Sequence, residues 1–172
     1  MEQLTPMMQQ YMETKNEYKD CILFYRLGDF YEMFFDDAIC AHKELELTLT
    51  GKSCGLKERA PMCGVPFHSA ETYINRLVER GYKVAICEQV EDPKLAKGLV
   101  KREVTRIVTP GTNCFTGSLD ETRNNYLMGI VSVDHSFGIS IVDVTTGEYM
   151  LTEVESVSKL LDEVNKFMPA EI

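Results

Sequence analysis

The sequence predicts two α/β domains, of which the second is only begun. Before residue 110, apolar runs with strand character alternate with amphipathic helical segments, which is typical of a mixed sheet with flanking helices. After residue 125, three short strand-like runs follow one another before a single helix. Between them, "VTPGTNCFTGSLDETRNN" interrupts both patterns with a proline and two glycines among small polar residues. We therefore predict domains at 1–109 and 126–172, joined by a linker at 110–125.

The first domain is predicted to open with a helix and a buried strand. Thr5 followed by Pro6 has the pattern of a helix N-cap and a first helical position. The run "CILFYRL" is almost entirely apolar and aromatic, as in a strand covered on both faces. A helix is predicted next, from about Asp29 to Leu45, and the strand-like "LELTLT" follows it.

The remainder of this domain continues the alternation. A loop rich in Gly, Lys and Pro leads to the helical stretch "SAETYINRLVER", which Gly81 is expected to close as a C-terminal cap. "YKVAICEQV" has the composition of a central strand, and "REVTRIVT" alternates as a strand with one solvated face does. The first domain is therefore predicted to be a mixed sheet with helices beside it.

The second domain is predicted to begin with an antiparallel meander. The runs "YLMGIVSV", "GISIVDV" and "EYMLTEV" are separated by turn signals at Asp134 to Gly138 and at Thr145-Thr146-Gly147. A helical stretch, "SVSKLLDEVNKF", follows them. Three strands and one helix are a thin basis for an independent domain, so we expect this domain to continue beyond Ile172.

Composition places the chain among globular proteins. It has 172 residues, 44% of them hydrophobic and 26% charged. There is no apolar run long enough to span a membrane, and the first residues are polar and helical, so we expect a cytoplasmic protein with no membrane partner. The six cysteines form no Cys-x-x-Cys pair and lie mostly in apolar runs, as reduced core thiols do.

The net charge of −9 argues against a nucleic-acid partner only when it is averaged over the whole chain. Residues 1–109 hold 15 Lys and Arg against 17 Asp and Glu, a net charge of −2. Residues 110–172 hold 3 against 10, a net charge of −7. The acidity therefore belongs to the second domain, and the first remains compatible with a DNA partner.

The stretch "GDFYE" permits two interpretations from its residues alone. In one, Asp29 caps a helix, Glu32 completes a capping box and Phe30 is a core residue. In the other, Phe30 projects as a wedge of the kind that minor-groove proteins insert between base steps. Glu32 would then accept a hydrogen bond from a base, because a carboxylate repels the phosphate backbone.

Three long motifs favour the second interpretation. "FYRLGDFYEMFFDDA", "PMCGVPFHSAETYINRLVERGYKVAICEQVEDP" and "REVTRIVTPGT" together resemble the N-terminal, mismatch-binding domain of the bacterial MutS family of DNA mismatch-repair proteins. The resemblance covers residues from about 5 to 125. It implies that Phe30 stacks on a mispaired or unpaired base from the minor groove and that Glu32 hydrogen-bonds to that base.

The resemblance also carries expectations about the longer protein. Residues 126–172 look like the start of the family's connector domain, which has a ribonuclease-H-like α/β fold. The family implies a homodimer, ATP and Mg²⁺ bound by a C-terminal domain beyond this chain, and a MutL-type repair partner. For this segment we expect mismatched double-stranded DNA as the partner and no catalytic residue, metal or cofactor.

Further residues are predicted to lie near DNA. Leu27 and Met62 are apolar residues beside tight turns, which in the family adjoin the wedge, although core packing explains them equally well. The remaining candidates are basic and could contact phosphate: Arg26, Lys52, Arg59, Lys97, Lys101 and Arg102. Arg106 belongs to the same cationic stretch as the last three, but at most two side chains of a strand there would share one face.

Four other functions are weighed against this one. Gly51-Lys52-Ser53 ends like a phosphate loop, but Glu46 stands where that motif needs glycine. A zinc site from Cys54, Cys63 and His68 lacks the spacing of known ligand pairs. A module that binds only proteins would not depend on Phe30. A metal-dependent nuclease would hold Mg²⁺ with one of two sets of acidic residues. The first set is Asp29, Glu32, Asp36 and Asp37, and the second is Asp134, Asp143 and Glu148.

Overall fold

A computed structural model of the chain describes residues 3–91, 96, 98–115 and 123–172. The contacts between Cα atoms divide the chain into two compact units, Met1–Val108 and Thr109–Ile172. The linker predicted at 110–125 stays a prediction, because residues 116–122 lie outside the described part of the chain.

The first unit is a six-stranded mixed sheet with three α-helices. Among the described residues of this unit, β1 and β5 are the one parallel pair of strands, and the strand order is β3-β4-β2-β1-β5-β6. A 3-10 turn at Phe67–Ser69 precedes the third helix. The elements are α1 Pro6–Glu17, β1 Cys21–Leu27, β2 Phe30–Phe34, α2 Phe35–Leu45, β3 Thr50–Lys52, β4 Ala60–Pro66, α3 Ala70–Glu79, β5 Lys83–Gln89 and β6 Arg102–Val108. The mixed α/β prediction is confirmed.

Helices cover both faces of this sheet. Leu23 and Tyr25 of β1 belong to a buried apolar cluster that includes Met8 and Tyr11 of α1. On the opposite face, α2 lies against β4. Strand β1 is therefore covered on both sides, which explains why its sequence is apolar at consecutive positions rather than at alternate ones.

The helix predicted from Asp29 is wrong over its first residues. Phe30–Phe34 forms β2, and α2 begins only at Phe35. Strand β2 hydrogen-bonds to β1 on one edge and to β4 on the other, so tertiary pairing overrides the local helical pattern. The predicted capping box is also wrong, because Asp29 lies in the turn and Glu32 in the middle of the strand.

Two further boundaries differ from the sequence prediction. The stretch "LELTLT" does not form a strand as a whole, because α2 extends to Leu45 and β3 begins only at Thr50. Strand β4 lies inside the predicted loop. Its sequence does not predict a strand, because glycine and proline usually mark turns and β4 contains Gly64, Pro61 and Pro66.

The second unit is an antiparallel meander, as predicted. Strands β7 Tyr126–Val133, β8 Ser136–Asp143 and β9 Glu148–Val154 pair in sequence order, and α4 Val157–Phe167 follows. Met128, Ile139 and Ile141 form a small core against which residues of α4 pack. The first turn is shorter than predicted, because β8 already begins at Ser136.

Two expectations from composition concern the described residues. No helix among them is both long and apolar enough to cross a membrane. The six cysteines are unpaired thiols, and four of them are buried, as expected: Cys21, Cys54, Cys63 and Cys87.

Asp37 at the start of α2 joins three elements of the first unit. Its carboxylate lies 2.9 Å from the Lys15 ammonium of α1 and accepts hydrogen bonds from the Leu23 amide of β1 at 3.0 Å and from the Tyr11 hydroxyl at 3.4 Å. Burial raises the pKa of this carboxyl above its usual value, and the hydrogen bonds oppose that rise only in part.

Replacing Asp37 by Ala should lower the free energy of unfolding by about 3 kcal/mol, because the Lys15 ammonium and the Leu23 amide lose their partner. Urea unfolding of the purified chain measures this. The neighbouring Asp36 is exposed and is the matched control, with an expected loss below about 1 kcal/mol on substitution by Ala. Equal losses at the two positions would show that the contacts of Asp37 do not stabilise the fold.

Candidate nucleic-acid interface

The β1–β2 hairpin ends in a two-residue turn that brings Phe30 to its tip. Leu27 and Phe30 pair across Gly28 and Asp29. The φ angle at Gly28 is +59°, in the left-handed region that glycine adopts without strain. The Phe67 amide donates to the Asp29 carbonyl at 2.9 Å, which binds the turn to the chain leaving β4. The backbone at Phe30 is therefore held from both sides.

Phe30 is an exposed aromatic residue in a strand whose other end is buried. Its relative exposure is 46%, whereas Phe34 in the same strand is fully buried. Tyr31 and Met33 point to the opposite face and are buried there. The core therefore does not require the Phe30 ring, and the ring is available to a ligand.

Phe30 and Glu32 lie on one face of the sheet because they are two residues apart on a strand. The rise between them is about 6–7 Å. On the helix predicted from sequence, residues two apart would not have faced the same side. The strand therefore makes it possible for both side chains to approach one base pair.

Glu32 lies opposite a glycine and beside a lysine. Gly64 of β4 pairs with Glu32, and a Cβ there would come within 3.1 Å of the Tyr31 carbonyl and 3.5 Å of the Glu32 side chain. The Glu32 carboxylate lies 2.5 Å from the Lys52 ammonium of β3. The Glu32 side chain is 19% exposed, so part of it remains accessible to solvent.

Arg26 sits behind the hairpin turn and is occupied by several contacts. Its Nε donates to the Gly28 carbonyl at 2.5 Å, and its Nη1 lies 3.7 Å from a carboxylate oxygen of Glu88 on β5. The guanidinium lies 3.7 Å from the centre of the Phe67 ring, in cation–π contact. Glu88 also accepts from the Tyr31 hydroxyl. These contacts support the turn that carries Phe30.

The other predicted residues occupy three kinds of environment. Leu27 and Met62 are partly buried and pack against the α1 cluster. Arg59 is exposed in the segment before β4, and Lys101 is exposed and paired with Glu103 at 2.6 Å. Lys97 lies outside the described residues.

The Arg102 guanidinium makes hydrogen bonds inside the first unit. Its Nε donates to the Arg26 carbonyl at 2.8 Å, and its Nη1 donates to the Gln10 side chain at 3.0 Å and to the Val100 carbonyl at 2.9 Å. The guanidinium also lies over the Tyr25 ring. It links β6 to β1 and α1, so its use as a phosphate contact stays a prediction.

Sequence reasoning missed Phe67 and Glu88. Phe67 is 42% exposed and lies directly after Pro66, the residue that pairs with Phe30. An aromatic residue after a proline indicates an exposed ring at a turn. The sequence does not place this turn beside Phe30, because it does not predict β4 as a strand. Glu88 reaches the hairpin only because β5 pairs in parallel with β1, and no local pattern indicates that pairing.

The carboxylates of the nuclease hypothesis have other roles. Asp143 is buried; its burial alone would raise its pKa, but hydrogen bonds from Thr145, Asn125 and Thr146 prevail and hold the pKa below its usual value. Glu148 accepts from Asn124 and Tyr126. Among the described residues, no three His, Cys, Asp or Glu side chains are grouped so that they could hold a metal ion.

The residues that resemble the end of a phosphate loop, Gly51 and Lys52, have an extended backbone. Gly51 and Lys52 belong to β3 and pair with Pro61 and Ala60 of β4. Their amides therefore serve an edge strand of the sheet and do not form a loop that could wrap a phosphate.

Comparison with known proteins agrees with the fold of the two units. The family model described as MutS domain I matches residues 5–115, and MutS domain II matches residues 125–172. The DNA mismatch repair protein MutS of Lachnoclostridium phytofermentans is 73% identical over 172 residues, and that of Acetivibrio thermocellus is 65% identical over 175; both alignments cover 100% of this chain. The protein of the same name from Clostridium tetani is 59% identical over 171 residues, 98% of this chain.

The chain is much shorter than these relatives. It spans 18% of the Lachnoclostridium phytofermentans protein, 20% of that from Acetivibrio thermocellus and 19% of that from Clostridium tetani. Both family models match in the order in which the two units occur, and together they cover nearly all of the chain. The chain therefore belongs to the MutS family.

Proposed function

We propose that this chain acts in DNA mismatch repair as the part that recognises a mispaired or unpaired base in duplex DNA. One observation carries the proposal: the exposed Phe30 ring and the Glu32 carboxylate share a face of β2, beside a turn held on both sides. The relatives are named DNA mismatch repair proteins, which supports the same function.

The Phe30 ring would read how easily a base step opens. Unstacking a step costs a few kcal/mol, and stacking a base on an aromatic ring returns about 1–3 kcal/mol. At a well-paired step these terms nearly cancel. A mismatch is already loosened, so opening costs less there and insertion of the ring becomes favourable.

Glu32 would add selectivity rather than general affinity. An ionised carboxylate only accepts hydrogen bonds, and it repels phosphate, so its presence disfavours DNA that offers it no donor. A base displaced from its normal pairing can offer an N–H group. Glu32 thus penalises the matched duplex more than the mismatched one.

Other activities of the family would reside outside this chain. We propose a homodimer, a MutL-type partner and a DNA-dependent ATPase for the longer protein. ATP and Mg²⁺ would be bound by a further domain of the longer protein, since this chain spans only 18% of one relative and 20% of another. The contribution of this segment is binding and selectivity, with no chemical step of its own.

Replacing Phe30 by Ala should abolish the preference for mismatched DNA in the full-length protein that contains this segment. The fold should persist, because the ring is nearly half exposed. Binding to matched and G·T-containing duplexes, together with thermal unfolding, measures both effects. Phe34→Ala is the control: its ring is fully buried, so it should lose about 3–5 kcal/mol of stability. A loss of that size at Phe30 would contradict the wedge.

Replacing Glu32 by Ala should reduce discrimination and raise affinity for matched DNA. A repulsive carboxylate disappears, and the Lys52 ammonium is released from its ion pair. Titration of both duplexes measures the change, with Glu58→Ala as a control that removes an exposed acid of the same unit. Equal weakening on both duplexes would instead assign Glu32 a purely structural role.

The 172-residue chain alone should bind DNA weakly and scarcely distinguish a G·T mismatch. Residues 1–109 carry a net charge of −2, and six of their Lys and Arg are paired with acids, so little counterion release is available to favour binding. Bending the duplex costs about 1–6 kcal/mol, which this segment has few contacts to repay. A titration at physiological salt tests this, and sub-micromolar, mismatch-selective binding would contradict it.

A further inference from the structure

We propose that Lys52 is a positioning residue for Glu32: its ammonium holds one carboxylate oxygen and leaves the other oriented to accept from a base. This inference rests on the proposed function and deepens it. It replaces the prediction that Lys52 contacts phosphate, because the ammonium already has an acidic partner at 2.5 Å.

The ammonium is held at two points. It lies 2.5 Å from Oε2 of Glu32 and 5.5 Å from the centre of the Phe34 ring, a cation–π contact with a fully buried aromatic. Lys52 lies on β3, which is separated from β2 by β4. Its side chain therefore spans one strand to reach Glu32, and the rigid sheet sets the distance between the two residues.

The second carboxylate oxygen of Glu32 is available. Among the described residues, Glu32 makes one hydrogen bond, and it uses Oε2. A carboxylate has about four lone-pair positions over its two oxygens, so pairing with one ammonium leaves acceptor capacity. The glycine opposite, Gly64, leaves the Glu32 side chain room above β4.

The ion pair also lowers the cost of orienting Glu32. A glutamate side chain without a partner loses rotamer freedom when it is fixed against a base. The charge-assisted hydrogen bond to Lys52 already fixes the carboxylate before DNA binds. Lys52 thus acts on DNA through Glu32, and its effect must vanish when Glu32 is replaced by the uncharged Gln.

A double-mutant cycle tests this coupling in the full-length protein that contains this segment. The proteins are the unmodified one, Lys52→Met, Glu32→Gln and the double variant, with Phe30→Ala as the reference for loss of reading. The ratio of Kd values for a matched and a G·T-containing duplex is measured at several salt concentrations. Lys57→Met is the matched control, since Lys57 is an exposed lysine in the segment between β3 and β4.

We expect Lys52→Met to lower the Kd ratio about tenfold when Glu32 is present, the size of one charge-assisted hydrogen bond. In the Glu32→Gln background the same change should leave the ratio unaltered. Lys52→Arg should retain most of the ratio, because a cation is restored. Lys57→Met should leave the ratio unchanged in both backgrounds.

Lys52→Met could instead weaken binding equally on both duplexes, with or without Glu32, and reduce the salt dependence by about one charge. That result would identify Lys52 as a phosphate contact and overturn the inference. Failure of Lys52→Arg to restore the ratio would also overturn it. The proposed function has a separate outcome: if neither Phe30→Ala nor Glu32→Gln changes the ratio, the recognition itself is absent. If Phe30→Ala and Glu32→Gln both change the ratio, but Lys52→Met changes it equally with and without Glu32, only the role of Lys52 is refuted.

Discussion

The pairing of β2 between β1 and β4 is the constraint on which the candidate interface depends. Because both edges of β2 are hydrogen-bonded, its residues must alternate between the two faces of the sheet. That alternation buries Tyr31 and Met33 and leaves Phe30 and Glu32 together on the other face. Phe34 shares their face but is buried there against Tyr11 of α1. The exposed Phe30 and the partly buried Glu32 thus share a face because both belong to a central strand.

The charges around the hairpin fit a segment that selects rather than one that attracts. Arg26 is engaged by Glu88 and by the Phe67 ring, and Lys52 is engaged by Glu32. Cations that are already neutralised add little to phosphate binding. The proposed function therefore assigns the affinity for DNA to other parts of the longer protein and the selectivity to this segment.

The sequence was informative where a pattern depends on one element and misleading where it depends on a neighbour. The apolar run of β1 and the meander of β7 to β9 were predictable from composition and turn residues. Strand β4 was not, because Pro61, Gly64 and Pro66 resemble a loop until a partner strand is present. For the same reason "FYEMF" predicts a helix by itself and forms β2 only between two partner strands. The roles proposed for Phe30 and Glu32 follow from a family resemblance, and their position on one face is evident only from the sheet.

A crystal structure of the full-length protein bound to a G·T-containing duplex would test the central claim most directly. We expect the Phe30 ring to be stacked on one mispaired base and the Glu32 carboxylate to lie within hydrogen-bond distance of that same base, with β2 still paired on both edges. A Phe30 ring packed inside the protein, or a Glu32 side chain directed away from the base that Phe30 contacts, would contradict the account.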